Sequence, residues 1–353
     1  MTVPRVLAAG DHFVLTRLLR DAVREELGDR CRVRELTLPW PAEPFGPVSE
    51  VAEASGDEDR LIGALAGMDV AVTHLAPFTR KVFGNAPDLR LVVVSRGGPV
   101  NINLEAATEH GVAVCHTPGR NADAVAEFTL GLTVATCRNL GAGHAGLAGG
   151  GRWPGHFFQY AHAGIELRGA TVGLVGYGAV GRRVGRLFAA YGARVLAYDP
   201  HVADLEPGVT RVGELAELLA AAQVVSLHQR VTPETRGQIG AAGIALMPAG
   251  SVLVNTARGA VLDYDALCDA LDSGHLAGAG LDVYPVEPLP AGHRLLRTRN
   301  LVLTPHIAGC SRDAARRAGR RCAAEVGRWV RGEPLTNRAN PAVPEGTDTP
   351  EVG

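Results

Sequence analysis

The feature that most constrains the fold of this chain is a glycine-rich turn between a strand-like and a helix-like segment. The apolar run Thr171–Val175 predicts a buried strand, and Val180–Tyr191 predicts a helix. The turn that joins them is Gly176-Tyr177-Gly178-Ala179-Val180-Gly181. In such a turn the first glycine permits a sharp bend, the second admits a ligand close to the backbone, and the third lets helix and strand pack closely. This arrangement favours a parallel sheet covered by helices.

Strand-like and helix-like segments alternate on both sides of the turn, which also favours an α/β fold. The strands expected before the turn are Arg5–Ala9, Val33–Leu38, Val70–Thr73, Leu91–Ser95 and Val112–Cys115. The strands expected after it, beyond the one that leads into it, are Arg194–Tyr198, Val224–His228, Ser251–Asn255, Ala279–Val283 and Leu301–Thr304. Longer helices are expected at Phe13–Leu27, Ala122–Arg138 and Ser311–Arg331. The glycine-dense segment Gly141–Gly151 is expected to be a flexible connection.

The composition is that of a soluble globular protein with room for two domains. Its 353 residues are 46% hydrophobic and 20% charged, with a net charge of −2. A near-neutral chain has no bulk field that favours nucleic acid or an anionic membrane, so we expect neither partner. The arginine-rich last helix is interpreted as a solvated face. No apolar run of about 18 residues predicts a membrane-spanning helix, and residues 1–10 lack the pattern of a signal peptide.

Six cysteines are scattered along the chain without a Cys-x-x-Cys pair. This distribution favours reduced thiols in a cytoplasmic protein over a disulfide framework or a zinc site. We therefore predict a cytoplasmic location and no bound metal.

The glycine turn and an acid downstream of it together indicate a bound dinucleotide. The N-terminus of the helix after the turn offers free N–H groups and a favourable dipole to phosphates. Asp199 ends the next expected strand, eighteen residues after Gly181. A carboxylate there accepts hydrogen bonds from ribose hydroxyls and repels a 2′-phosphate, which favours NAD over NADP. Arg230 is a basic group that would favour NADP, but Asp199 is expected to lie closer to the extra phosphate.

Three ionisable residues in the C-terminal third form a second set of candidates. Arg258 and His306 each follow the end of an expected strand, and Glu287 lies in a proline-flanked loop. A guanidinium can hold an anionic substrate and polarise its carbonyl oxygen, while an imidazole can shuttle the hydroxyl proton. A carboxylate beside the imidazole stabilises the imidazolium. Beside a dinucleotide, these groups suit hydride transfer to or from a carbon that bears a hydroxyl.

With these motifs in this order, the chain resembles the NAD-dependent, D-isomer-specific 2-hydroxyacid dehydrogenases, a family that includes phosphoglycerate dehydrogenases. The resemblance runs from about Val70 to Arg331. It implies two Rossmann-like or flavodoxin-like doubly wound parallel-sheet domains, with the active-site cleft between them and a hinge where the chain crosses. The implied domains are residues 1–118 plus 308–338 for substrate binding and residues 119–307 for NAD binding, followed by a disordered tail at 339–353. The implied reaction moves a hydride between nicotinamide and C2 of a D-2-hydroxy acid or 2-oxo acid.

The resemblance also implies which residues form the site. The implied catalytic residues are Arg258, Glu287 and His306. The implied cofactor-binding residues are Gly176, Tyr177, Gly178, Ala179, Val180, Gly181, Asp199, His228, Thr256, Ala257, Arg258, Asp282, His306 and Gly309, of which Asp282 would meet the nicotinamide carboxamide. The candidate residues for a small anionic substrate are Arg96, Gly97, Gly98, Arg258 and His306. Gly97 and Gly98 are included because glycines after a strand can turn backbone N–H groups toward an anion, whereas the family commonly has a small residue in place of Arg96. A homodimer is also implied, because the aromatic segment Trp153–Phe158 lies where related enzymes contact a second subunit; packing on its own domain is the alternative.

Other functions fit parts of this pattern. Formate-oxidising relatives carry glutamine at the position of Glu287, so this carboxylate argues against that reaction. A dehydrogenase for a phosphonate or another phosphorus oxyanion would suit extra basic residues such as Arg96, Arg120 and His74, although these residues fit structural ion pairs equally well. A NAD(H)-sensing binding protein, like the corepressors built on this fold, can keep all three ionisable residues, and only turnover separates it from an enzyme. Phosphoglycerate dehydrogenases place arginines at positions 73–77, where this chain has none, which argues against 3-phosphoglycerate.

Overall fold

The computed structural model describes residues 3–40 and 46–343 and divides into two compact units. Unit 1 contains the chain up to Asn121 and again from Cys310, and unit 2 is the continuous stretch Ala122–Gly309. Unit 1 is therefore built from two separate pieces of the chain, with unit 2 inserted between them in the sequence.

The described residues form two fully parallel sheets, one in each unit. The strands of unit 1 are β1 Arg5–Gly10, β2 Arg32–Thr37, β3 Val70–Thr73, β4 Leu91–Val94 and β5 Ala113–His116. The strands of unit 2 are β6 Thr171–Val175, β7 Arg194–Tyr198, β8 Val209–Arg211, β9 Val224–Leu227, β10 Ser251–Asn255, β11 Leu276–Leu281 and β12 Leu301–Leu303.

Helices connect most of these strands. They are α1 Thr16–Leu27, α2 Glu58–Leu65, α3 Arg80–Gly84, α4 Leu104–Glu109, α5 Ala122–Cys137, α6 Leu140–Ala148, α7 Ala179–Ala190, α8 Leu215–Ala221, α9 Ala241–Leu246, α10 Tyr264–Asp272 and α11 Arg312–Val330. Short 3₁₀ turns lie at Gly28–Arg30, Gly155–Phe158, Gly259–Val261 and Arg294–Leu296. Within the described residues, none of these helices has the length and apolar character needed to cross a membrane.

The sheet of unit 1 has the strand order β2-β1-β3-β4-β5, which is the flavodoxin-like order. Its two faces carry separate apolar clusters, one of them closed by α1 and α11. The last helix thus returns to pack on the first. The two helices approach closely, because a Cβ at Gly319 would lie only 2.8 Å from the Leu18 carbonyl oxygen. A salt bridge of 2.8 Å between Arg331 and Glu26 ties their ends together.

The sheet of unit 2 has the order β12-β11-β10-β9-β6-β7-β8. This is the Rossmann order with an added edge strand: the first strand of the unit, β6, lies centrally, and the order reverses between β6 and β9. In open α/β sheets, ligands bind outside the carboxyl ends of the strands at such a reversal. The glycine turn after β6 lies at this point. Two doubly wound parallel sheets are therefore present, as the alternation of elements predicts.

Two segments differ from the expectations drawn from the sequence. The glycine-dense stretch 141–151, expected to be a flexible connection, instead forms most of helix α6, since alanine and leucine between the glycines favour helix. The expected disordered tail is ordered over residues 339–343. There the N–H of Ala339 donates to the Val114 oxygen at 2.7 Å, and the Asn340 side chain accepts from the Val114 N–H at 2.8 Å. Residues 344–353 lie outside the described residues.

Candidate active site

The candidate residues of unit 2 follow six neighbouring strands at the point where each ends. The glycine turn follows β6, Asp199 follows β7 and His228 follows β9. Arg258 follows β10, with Asp282 and His306 after β11 and β12. Because all seven strands run parallel, these positions share the carboxyl edge of one sheet.

The glycine turn has the three properties that its sequence predicts. Gly176 has φ +92°, and a Cβ there would lie 2.6 Å from the Gln229 nitrogen. Gly181 lies so close to the turn that a Cβ would meet the Gly176 oxygen at 2.3 Å. A Cβ at Gly178, by contrast, would meet nothing within 4 Å. Gly178 begins α7 without a side-chain cap, so the open backbone and the free N–H groups behind it fit a pyrophosphate.

Tyr177 takes part in this turn through its backbone alone. Its side chain is fully buried in the core of unit 2, although the sequence places it among the cofactor-binding residues. Its N–H donates to Asp199 Oδ2 at 2.7 Å, and Asp199 Oδ1 accepts from the His201 N–H at 2.9 Å. Asp199 therefore braces the glycine turn in addition to its predicted contact with ribose. Ala179, which opens α7, is exposed, and Val180 is half-buried.

His228 lies beneath the glycine turn. Its Nε2 is 2.9 Å from the Ser226 hydroxyl, and its N–H donates to the Val175 oxygen at 2.7 Å. Burial lowers the pKa of His228 to about 3. The ring is therefore neutral at physiological pH and does not serve as a second positive charge at the site.

The turn that carries Arg258 is held by Asn255, the last residue of β10. Asn255 accepts from the Ala257 N–H at 3.0 Å and donates to the Arg258 carbonyl at 3.0 Å. The Thr256 hydroxyl lies 2.8 Å from that of Thr129 on α5. Gly259 completes the turn, because a Cβ there would lie 1.7 Å from the Tyr284 oxygen. The neighbours of Arg258 are thus fixed on both sides.

The guanidinium of Arg258 is exposed and bonds to the carbonyl of its neighbour Ala257 at 2.7 Å. Within residues 3–40 and 46–343 it forms no salt bridge with a carboxylate. An exposed charge that forms no direct salt bridge, on a braced turn at the ligand edge of the sheet, suits an anionic substrate.

His306 and Glu287 form an acid–base pair. The Nδ1 of His306 donates to Glu287 Oε2 at 2.6 Å, and Glu287 Oε1 accepts from the Tyr284 N–H at 3.0 Å. The hydrogen bond with Glu287 raises the pKa of His306, against burial and the nearby Arg258, which lower it. Burial raises the pKa of Glu287, but the hydrogen bond and charge of His306 outweigh it, and the net pKa is lowered. The pair is therefore poised to carry an imidazolium next to a carboxylate.

The loop that carries His306 is fastened by Asp282. This carboxylate is fully buried and accepts from the Thr304 hydroxyl at 2.6 Å, the Ile307 N–H at 2.9 Å and the Ala308 N–H at 2.8 Å. His306, held between these contacts, has the left-handed φ of +53°. Both oxygens of Asp282 thus position the loop. Its contact with the nicotinamide carboxamide stays a prediction, as does cofactor binding by Gly309.

Three of the contacts that hold the site were not predicted from the sequence. They involve Thr129, Asn255 and Tyr284. Asn255 had a usable signal, since a polar amide ends an apolar strand three residues before Arg258. Thr129 had none, because its partner Thr256 lies 127 residues away in the chain.

The predicted substrate residues Arg96, Gly97 and Gly98 lie in unit 1, after β4. Arg96 pairs with Glu53. Gly97 and Gly98 have open space where a Cβ would be, and no recorded hydrogen bond among the described residues uses their N–H groups. This loop can therefore offer backbone donors to an anion. No group of three or more metal-ligating side chains occurs in the described ranges.

The Rossmann strand order, the open glycine turn and the braced acid–base pair are the features of a nicotinamide-dependent dehydrogenase. Comparisons with known proteins give the family. The model of the D-isomer specific 2-hydroxyacid dehydrogenase NAD-binding domain matches residues 130–308. The chain belongs to the D-isomer-specific 2-hydroxyacid dehydrogenase family, whose members are NAD-dependent oxidoreductases acting on CH–OH donors.

Individual relatives agree with this assignment. A D-3-phosphoglycerate dehydrogenase of Methanocaldococcus jannaschii is 36% identical over 304 residues, which are 84% of this chain and 57% of the relative. A hydroxypyruvate reductase of Blautia hydrogenotrophica is 32% identical over 284 residues, which are 79% of this chain and 87% of the relative. A solved D-lactate dehydrogenase of Treponema pallidum has a TM-score of 0.76 at 26% identity, covering 95% of this chain and 99% of its own. The chain thus spans just over half of the phosphoglycerate dehydrogenase it matches. These relatives do not favour a phosphorus-oxyanion dehydrogenase or a corepressor-like sensor.

Proposed function

We propose that this protein is an NAD-dependent enzyme that moves a hydride between nicotinamide and C2 of a D-2-hydroxy acid or 2-oxo acid. The observation that carries the proposal is the 2.6 Å hydrogen bond between His306 Nδ1 and Glu287, in the same unit as the open glycine turn. This bond occupies Nδ1 and leaves Nε2 of His306 as the nitrogen that meets substrate. The bound NAD supplies the hydride acceptor or donor.

The proton chemistry is assigned to His306. In oxidation, neutral Nε2 takes the proton of the substrate hydroxyl as C2 loses its hydride. The positive charge that then forms on the imidazole is stabilised by Glu287. In reduction, the imidazolium returns this proton to the oxygen that was the carbonyl. Arg258 holds the carboxylate of the substrate and polarises the 2-oxo oxygen, since its guanidinium donates two parallel hydrogen bonds.

A substrate screen tests this function directly. The full-length protein is incubated with NADH and a panel of 2-oxo acids, phosphonates and phosphorylated analogues, and NADH oxidation is followed. We expect steady turnover with at least one 2-oxo acid and a D-configured product. Binding of NADH with no turnover on any compound would instead support an NAD(H)-sensing binding protein. Turnover confined to phosphonates or other phosphorus oxyanions would support a dehydrogenase for those compounds.

Replacing Glu287 by glutamine is expected to shift the pH profile of reduction. Glu287 raises the pKa of His306, so a neutral amide should lower it. Reduction needs the imidazolium, so the high-pH limb of kcat/KM should move to lower pH. Oxidation needs the neutral imidazole, so the low-pH limb of kcat/KM for oxidation should also move to lower pH. The change is nearly isosteric, so circular dichroism should be unaltered. A high-pH limb that stays in place would refute the coupling of the two residues.

We propose that the protein acts as a homodimer formed through the aromatic segment after α6. Trp153, Phe158 and Tyr160 are 75%, 83% and 99% exposed, and exposed aromatics in one segment are typical of an interface. The double variant Phe158→Ser/Tyr160→Ser should therefore move the mass in multi-angle light scattering from dimer to monomer. The matched control is Tyr191→Ser, an exposed aromatic elsewhere in unit 2. A wild-type protein that is already monomeric would overturn this proposal.

We also propose that the enzyme works in the cytoplasm. Cys137, Cys268 and Cys322 are buried and form no disulfide. Buried cysteines that stay reduced suit a reducing compartment. Fractionation of the native host, with the protein detected by antibody, tests this assignment.

A further inference from the structure

Two tyrosine hydroxyls connect the three segments of unit 2 that carry Arg258, Glu287 and His306 (the site segments). Tyr264 begins α10 and is 6% exposed, and Tyr284 lies in the loop after β11 and is half-buried. Burial raises the pKa of both phenols, in Tyr284 to about 12. Both hydroxyls therefore keep their protons at physiological pH and can act as donors.

The Tyr264 hydroxyl has a hydrogen-bond partner on each side. It donates to the Val283 carbonyl at 2.7 Å. On the other side, the side-chain amide of Asn255 lies 3.4 Å from it, and the same amide donates to the Arg258 carbonyl at 3.0 Å. Tyr264 is thereby connected to the turn that carries Arg258.

The peptide group between Val283 and Tyr284 extends this connection to Glu287. Its carbonyl accepts from the Tyr264 hydroxyl, and its N–H donates to Glu287 Oε1 at 3.0 Å. A hydrogen bond to the oxygen of a peptide group polarises the N–H of that group, so the two bonds strengthen each other. Tyr264 therefore supports the carboxylate that pairs with His306 without touching it.

The Tyr284 hydroxyl holds the backbone of the other member of that pair. It donates to the Thr304 carbonyl at 2.8 Å, and the same carbonyl accepts from the His306 N–H at 3.0 Å. A residue other than glycine keeps the left-handed φ of His306 only where its surroundings hold it. The carbonyl of Tyr284 in turn lies against Gly259, where a Cβ would be 1.7 Å from it. Tyr284 thus contacts all three site segments.

We propose that the hydroxyl groups of Tyr264 and Tyr284 are positioning groups for the hydride-transfer reaction. They fix Glu287 against His306 and hold this pair to the turn of Arg258. Their effect on the reaction rests on the proposed dehydrogenase function, whereas the fixing of Glu287 against His306 does not. Because both hydroxyls act through other residues, their loss should lower activity without removing a group that moves a proton or binds substrate.

The titration of His306 tests this role without turnover. NMR signals of the His306 ring, assigned from their loss in His306→Ala, are followed against pH in full-length wild type, Tyr284→Phe and Tyr264→Phe. The hydrogen bond with Glu287 raises the pKa of His306, so a less firmly held Glu287 should let it fall. We expect each variant to lower the proton affinity of His306 about two- to fivefold.

The matched control is Tyr198→Phe. Tyr198 packs on the same apolar cluster of unit 2 as Tyr284, and its hydroxyl makes no hydrogen bond within residues 3–40 and 46–343. Its removal should leave the His306 titration unchanged. Thermal unfolding is recorded for every variant. A lower unfolding temperature of Tyr284→Phe with a wild-type His306 titration would leave the hydroxyl a structural role and overturn the inference. If Tyr264→Phe does not fold, the half-buried Tyr284 decides by itself.

A double variant shows whether the Tyr284 hydroxyl acts through the acid–base pair. Glu287→Gln already removes the charge that the hydroxyl positions, so adding Tyr284→Phe should change the His306 titration little further. An equal effect of Tyr284→Phe with and without the Glu287 carboxylate would show that the hydroxyl acts on His306 by another route, and the proposed role would be wrong.

Kinetics then connect this geometry to the reaction. With the best 2-oxo acid from the screen, Tyr284→Phe should lower kcat of reduction about three- to tenfold. The high-pH limb of kcat/KM should move to lower pH, and the dissociation constant of NADH should stay unchanged. A wild-type kcat and pH profile in Tyr284→Phe would overturn the inference and leave the proposed function standing. A wild-type protein that turns over no 2-oxo acid would reject the proposed function, and the His306 titration would still decide whether the hydroxyls position the pair.

Discussion

Replacing His306 by alanine is expected to lower kcat by about two to four orders of magnitude while NAD affinity stays nearly unchanged. The imidazole is the group assigned to move the proton, and alanine has no group that can replace it. The site around it should survive, because Asp282 fastens the loop through Thr304, Ile307 and Ala308 and not through the His306 side chain. The measurements are kcat with the best 2-oxo acid from the screen and the dissociation constant of NADH by fluorescence.

The control for this variant is His144→Ala, at an exposed position of α6 outside the candidate site. It should keep wild-type turnover. A His306→Ala protein that retains near-normal kcat would show that another group moves the proton. The Glu287–His306 pair would then be structural, and the proposed mechanism would have to be given up.

Replacing Arg258 by glutamine is expected to lower kcat/KM about a hundred- to thousandfold. Two losses combine in this variant. The substrate carboxylate loses a charged, two-pronged donor, which raises KM, and the 2-oxo oxygen loses the group that polarises it, which lowers kcat. Arg258→Lys should recover only part of the activity, since an ammonium keeps the charge but not the planar fork.

The matched control is Arg236→Gln, an exposed arginine of the same unit with no assigned role. Comparing the two variants separates a local effect from a change in net charge. The turn itself should be preserved in Arg258→Gln, because Asn255 bonds to the backbone of Ala257 and Arg258 and not to the guanidinium. A wild-type kcat/KM in Arg258→Gln would exclude this residue from substrate binding.

Much of unit 2 is predictable from its sequence because the signals are local. An apolar run followed by three spaced glycines specifies a strand, a turn and a helix within a short stretch, and the structure has β6 and α7 within one residue of the expected bounds. The same reasoning placed Arg258 and His306 after strand ends. Since the strands are parallel, those ends meet at one edge whatever the distance between them in the chain.

Local reasoning was wrong for one connecting segment. Glycines at 141–151 suggested a flexible connection, but the segment forms most of helix α6. Local reasoning also gave no direction for the Tyr177 side chain. Its ring lies in the core, because the direction of a side chain depends on what packs around the turn, and cofactor binding by Tyr177 stays a prediction.

By itself, then, the sequence determined the succession of strands and helices, the parallel α/β class, the glycine turn and the identity of the arginine, glutamate and histidine. Only the tertiary structure decided how these groups are held. Asp282 bonds to the loop of His306, which the sequence did not indicate, while its contact with the nicotinamide carboxamide stays a prediction. Asp11 meets His74 across 63 residues of chain, and no periodicity in the sequence signals that pair. The physical reason is that secondary structure follows from short-range patterns. The partners of buried polar groups are settled only when distant segments pack together and each donor must find an acceptor.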